Sequence, residues 1–439
     1  MKITKKKVGG FLMFSVLTLI LGFVCGFTIW IFLELMALGV DGLWNVLPQY
    51  VGIHPLIYNL MICAIGAGII VAICNKYGDL PVPSEEVKAN INGKAHMEYR
   101  KLGIYIIATL VPMVFGGVVG PDVGLPGIMA VLFAWVGENL KYRGERLKAL
   151  QEVGFAVAFN VVFMTPLAGI VEELEPDIND KNYLGKVKSK KLRISSYIFG
   201  IVGGFGALML GKNLASVLFP DVVQPGLPKF GEIVGFNWGM MIWVVPMVAV
   251  GILLGFLFCA LNKTFGKLRA RFKGGRLLPA MIAAVALAVI GYFFTETMFS
   301  GQMQLGELGD NWQFMGATYL IIIALFKVVL CCLCMNFEWR GGYMFPLIFA
   351  GTSLGYGLAL ITGLDATFAI ALCFSACYGY VTRKPMLVTM IFLLCFPIQV
   401  LPVIFVVALI VSKIPNPFVK VEDDKLDNDK EQKVETKEG

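Results

Sequence analysis

Apolar positions in this chain gather into long runs rather than alternating singly with polar ones, and short polar or glycine- and proline-rich joints divide the runs. They lie near 10–35, 55–75, 102–120, 126–140, 150–171, 194–219, 236–262, 278–298, 315–335, 343–362, 366–381 and 385–412. A helix needs about 20 mostly apolar residues to cross the hydrocarbon core of a bilayer, so these runs predict membrane-spanning helices. Several are short and many contain Gly or Pro, which predicts broken or tilted helices. The first run follows MKITKKK as the core of a signal peptide would, but it is too long and no small-residue cleavage site follows cleanly. It reads as a retained first span.

Composition agrees with this pattern. Of 439 residues, 57% are hydrophobic and 15% charged, whereas soluble domains are about 25% charged. A soluble fold is therefore excluded and a multi-pass membrane protein expected. Basic residues cluster at the amino terminus, in Lys141 to Lys148, in Lys181 to Arg193 and in Lys263 to Arg276. By the positive-inside rule these clusters face the cytoplasm, which places both termini there, in a cell membrane. The same rule accounts for the net charge of +7 without a nucleic-acid partner. Residues 414–439, nearly all polar from Lys420 on, read as a disordered tail.

Little in the chain suggests enzymatic chemistry. It has two histidines, His54 and His96, and ten cysteines that all lie in or beside apolar segments without zinc-ligand spacing. CCLC at Cys331 to Cys334 reads as small-residue packing, so neither a metal nor a cofactor is expected. Gly351 to Gly355 fits GxSxG, yet a nucleophile elbow needs a strand-to-helix turn and a histidine base. Inside a helix-length apolar run, these residues read as a helix–helix contact.

The joints carry the sharper signal. GGVVGPDVGLPG, from Gly116 to Gly127, concentrates five glycines, two prolines and Asp122 between apolar runs. GGVVGP shares the pattern GGxxxP with GGYMFP, from Gly341 to Pro346. Pro166 follows the first proline by 45 residues and Pro385 follows the second by 39, each leading a further apolar segment. The chain thus looks duplicated. In duplicated membrane transporters, discontinuous helices often aim their amino termini at a midplane site. There the free N–H groups and the helix dipole attract anions, glycine allows close backbone approach and proline suits the first helical turn. Packing of small residues with a kink accounts for the spacing equally well.

On these residues the chain resembles the CLC family of chloride channels and chloride/proton antiporters, over roughly residues 60 to 415. GGYMFPLIFAGTSLG looks like the family's GxFxP region, with Gly342, Tyr343, Met344, Phe345 and Pro346 in the matching positions. AFNVVFMTPLAGIVEELEP, from Ala158, is similar to the family's helix ending in paired glutamates, although three residues shorter, and GDLPVPSEE occupies the place of its GSGIP loop. The resemblance implies anion-binding positions at Gly78, Val123, Gly124, Gly342, Tyr343, Met344 and Phe345. Gly78 stands where the family has a serine, and Phe418 stands near its pore tyrosine, so two hydroxyl ligands are missing. Keeping GxxxG in register puts Asp122 at the family's gating glutamate; matching the Gly-Pro pairs puts Val119 there. Asp122 is preferred, because an unpaired carboxylate in a membrane is costly unless it has a function. Glu173 best matches the internal proton acceptor, against the plainer reading of Glu172, Glu173 and Glu175 as a hydrated helix end balanced by lysines.

The expectation is an all-α polytopic membrane protein of two inverted-topology repeats with broken, tilted helices. Residues 1–54 form the amino-terminal segment and first span, 55–220 the first repeat, 221–413 the second and 414–439 the tail. The implied function is transport of chloride or a similar small anion, as a channel or a proton antiporter, in a homodimer held in the lipid bilayer. A fluoride/proton exporter of the same fold and a non-conducting structural or sensory homologue are the alternatives.

Overall fold

The structure is a computed structural model that describes residues 5–81, 101–141, 145–176, 178, 194–220, 222, 226–233, 238–272 and 274–418. His96, the basic cluster at 181–193 and nearly all of the tail lie outside the described residues. What is described is helical: α1 Lys5–Asp41, a π turn Gly42–Val46, α2 Leu47–Val51, α3 Pro55–Tyr77, α4 Leu102–Val114, α5 Gly124–Asn139, α6 Glu145–Val162, α7 Ala168–Leu174 and α8 Ile194–Leu218. The second half continues with α9 Val244–Arg271, α10 Leu277–Phe293, α11 Gln304–Met315, α12 Ala317–Asn336, α13 Met344–Thr362, α14 Ala366–Thr382, α15 Pro385–Ile391 and α16 Leu401–Ser412.

Helix lengths sort these elements. At 1.5 Å per residue, the 37 residues of α1 make a helix of roughly 55 Å, long enough to cross a bilayer obliquely. The 13 residues of α4 reach only about 20 Å, short of the roughly 30 Å of hydrocarbon, so this helix is too short to span by itself. Six described helical stretches are long and apolar enough to span. The expected run 102–120 stops at Val114 because Gly116 takes φ +95°, and a Cβ there would press on Met298 and Trp44. The run 150–171 divides at Met164, whose φ is +53°, and the run 385–412 divides between α15 and α16.

Small residues decide how the helices pack. Carbons added at Gly22 and Gly26 of α1 would strike the backbone of Gly200 and Gly204 on α8, so these helices touch backbone to backbone. Gly351 and Gly355 lie under Phe374 and Ile370 of α14, and Ser353 donates its hydroxyl to the Leu320 carbonyl at 2.8 Å. The GxSxG match is therefore a contact between helices α12, α13 and α14. Every cysteine is buried, and the Cys332 thiol donates to the Phe258 carbonyl.

Lys327 of α12 is fully buried. Its ammonium donates to the carbonyls of Met298 at 2.7 Å and Glu296 at 3.1 Å, and lies 4.4 Å from the centre of the Phe349 ring. It fixes the 296–298 turn that Met298 presses onto Gly116, behind the first helix break.

Candidate functional site

The two GGxxxP breaks meet. Gly120 donates to the Gly342 carbonyl at 2.7 Å and Gly342 donates back to Gly120 at 2.9 Å, an isolated antiparallel bridge joining the two halves of the chain. Asp122, two residues beyond, leads into the amino terminus of α5 while its side chain crosses to the amino terminus of α13. There Oδ2 accepts from the Met344 N–H at 3.3 Å. A side chain on Gly342 would overlap the Asp122 carboxylate, so glycine at 342 is what lets the acid lie against the backbone. Asp122 is 3% exposed.

The chemistry of this junction follows from helix ends. Tyr343 is the N-cap of α13, Met344 and Phe345 open its first turn, and their N–H groups precede the intrahelical ladder. Pro346, third in the helix, has no N–H to leave unpaired. The start of α5 brings Val123 and Gly124 to the same junction, with Gly124 too close to Thr109 of α4 to carry a side chain. A negative charge is favoured at such helix starts, and here the occupant is a carboxylate. Phe345 closes one side, stacked on Phe163 with ring centres 4.8 Å apart. Val119 is buried against Gly341, with no polar group to offer.

A cavity of about 540 Å³ reaches this junction from the end of the protein where α14 finishes. Tyr343 and Met344 form part of its wall, and Glu172, Lys263, Arg383 and Lys384 line it. Three cations against one carboxylate give it a positive field suited to drawing in anions. Glu172 pairs with Lys384 at 2.9 Å. Phe418 also lines the cavity, its ring against Phe256 and beside the Lys263 ammonium.

Six of the seven expected anion-binding positions, Val123, Gly124, Gly342, Tyr343, Met344 and Phe345, therefore surround Asp122. Gly78 does not join them, for it ends α3 with its N–H donated to the Cys74 carbonyl at 3.0 Å. Its neighbour Asp79 pairs with Arg276 at 2.6 Å and Arg340 at 3.1 Å. Partial burial works to raise the Asp79 carboxyl, but the charge of Arg340 and the Arg276 hydrogen bond hold it below its ordinary value. Glu173 is not part of the cavity wall; Glu172 is. Glu175 is buried and accepts from Met386 at 3.0 Å and Leu387 at 2.8 Å, capping α15. Sequence reasoning missed Arg383 and Lys384, which show in the chain only as an RKP triplet after an apolar run.

Known proteins share this fold. The model of the family described as voltage gated chloride channel matches residues 66–415. Among solved structures, the chain resembles a CLC-type fluoride/proton antiporter, with TM-score 0.70 and 19% identity over 95% of this chain and 98% of the other. A slow cyanobacterial Cl⁻/H⁺ antiporter matches with TM-score 0.70 and 16% identity, over 90% of this chain and 94% of the other. A eukaryotic CLC transporter matches with TM-score 0.64 and 17% identity, over 93% of this chain and 73% of the other. No curated protein sequence matches the chain.

Proposed function

The chain belongs to the voltage-gated chloride channel family, and on that premise we propose that it carries chloride or a similar small anion across a membrane in exchange for protons, with Asp122 as the protonatable gate. The observation that carries this reading is the hydrogen bond from the Met344 amide to the Asp122 carboxylate. A carboxylate at a helix amino terminus stands where a halide would be held by the same N–H groups. Ionised, Asp122 competes with the anion for that position; protonated, it loses the attraction of the helix dipole and yields the place. One proton gained at Asp122 thus opens one anion position, which links the two fluxes.

The inner end of the proton route is assigned to the acids of α7. Glu172 supports this role better than Glu173, because Glu172 lines the cavity. Aspartate is one methylene shorter than the family's glutamate, so the carboxylate reaches fewer anion positions and a fixed two-to-one exchange does not follow. The protein is assigned to a cell membrane as a homodimer with a pathway in each subunit, both termini facing the cytoplasm.

The test is a flux measurement. Purified protein in chloride-loaded liposomes releases the anion when a potassium ionophore clamps the voltage, and external pH recording shows protons driven against their gradient by chloride. Asp122→Ala keeps anion flux and loses both proton movement and its pH dependence. If the substituted protein behaves like the parent, the gate lies elsewhere and Val119 takes the position. Repeating the release with fluoride decides between halides, since backbone amides are donors that suit either.

A further inference from the structure

Tyr378 is fully buried on α14, and its hydroxyl has no hydrogen-bond partner among the described residues. Buried polar groups are nearly always paired, so an orphaned phenol inside a membrane protein asks for an acceptor. Its surroundings say which kind. Thr382 and Val381, four and three residues further along the same helix, line the cavity, and the Thr382 hydroxyl donates to the Tyr378 carbonyl at 2.8 Å. Residues at those spacings share a helix face, so Tyr378 stands about one turn, roughly 5 Å, deeper than the lining it continues. Tyr378 itself does not line the cavity; it lies behind that lining on α14, which packs against α13, the helix that Tyr343 and Met344 begin. Negative charge on Asp122 or Glu172 would be felt at this hydroxyl. Phe374 holds the ring from behind, with centres 5.1 Å apart.

The donors that α13 offers at this junction are backbone N–H groups. Phe418, which lines the cavity, has no hydroxyl, and the Gly78 amide is engaged within its own helix end. We infer that the Tyr378 hydroxyl is a ligand of the transported anion, donating a hydrogen bond to it where the cavity meets the Tyr343–Met344 amides. An O–H donor from α14 complements N–H donors from α13, a set of donors suited to an anion. The inference rests on the anion-transport reading above.

The test uses full-length protein and separates the two claims. Chloride and fluoride are titrated into purified wild-type and Tyr378→Phe protein by calorimetry, and halide flux is measured in liposomes. Removing one hydrogen bond to a charged ligand weakens halide binding about tenfold. Equal affinity in the two proteins overturns the ligand role. A second measurement does not need the variant to fold: wild-type sequence carrying 3-fluorotyrosine at position 378 gives a fluorine resonance that shifts on halide titration, with a midpoint at the measured binding constant. A resonance that stays still while halide binds overturns the inference. Wild-type protein that neither binds nor moves any halide refutes the transport reading instead.

Discussion

Asp122 can lie where it does because Gly342 has no side chain. A methyl group at 342 occupies the volume of the carboxylate, so Gly342→Ala expels the acid from the Met344 amide without touching the acid itself. Anion release from liposomes by this variant is expected to be as fast at neutral pH as the parent's is at acid pH, with a flattened pH profile. An unchanged profile would mean that the carboxylate is not what limits entry. Residue identity alone made Asp122 conspicuous, because a carboxylate among glycines and apolar runs has few ordinary explanations. Nothing comparable marked Tyr378: a tyrosine in an apolar helix is commonplace, and its orphaned hydroxyl exists only once α14 is packed against α13. The choice between Glu172 and Glu173 was equally hidden, since the break at Met164 to Pro166 sets which of them α7 turns toward the cavity.

Elements were legible where an apolar run met a strong stop. Pro55 opens α3 and Pro385 opens α15, each at a position where proline costs no hydrogen bond. Helix α11 escaped notice because QLGELGDNWQFM mixes Glu307, Asp310 and Trp312 and reads as a joint; burial of Leu305 and Leu308 on one face forms it nonetheless. The contact of α1 with α8 carries a prediction of its own. Gly26→Val puts two methyl groups against the Gly204 backbone, and overpacking of this sort costs about 1–3 kcal/mol. A lowered melting temperature in detergent is the expected result; no change would mean that α1 can shift on α8 freely.

At the scale of the molecule, charge ties the two halves together on the side of the α9–α10 turn. Asp79, just after α3, meets Arg276 and Arg340, while buried Glu338 accepts from Arg269 at 2.5 Å. Because its pairing lowers the Asp79 carboxyl, its contribution is present in full above about pH 4, the ordinary carboxylate value, and fades as the pH falls below that. Parent and Asp79→Asn are expected to differ in melting temperature at pH 7 and to converge as the pH drops below 4. The all-helical fold could be anticipated because duplicated breaks in an apolar chain admit few arrangements. That Gly120 pairs with Gly342, although the shared GGxxxP pattern sets Gly117 against Gly342 and Gly120 against Phe345, could not be, since a bridge between distant loops depends on every helix that holds them. The bridge also bears on speed. Two backbone hydrogen bonds pin the starts of α5 and α13 to each other, so under the proposed function admitting an anion calls for rotation about the side-chain bonds of Asp122 rather than for relative travel of the halves. Side-chain rotations take picoseconds to nanoseconds and domain movements microseconds to milliseconds; on that proposal, turnover is governed by how long each proton and each anion stays bound.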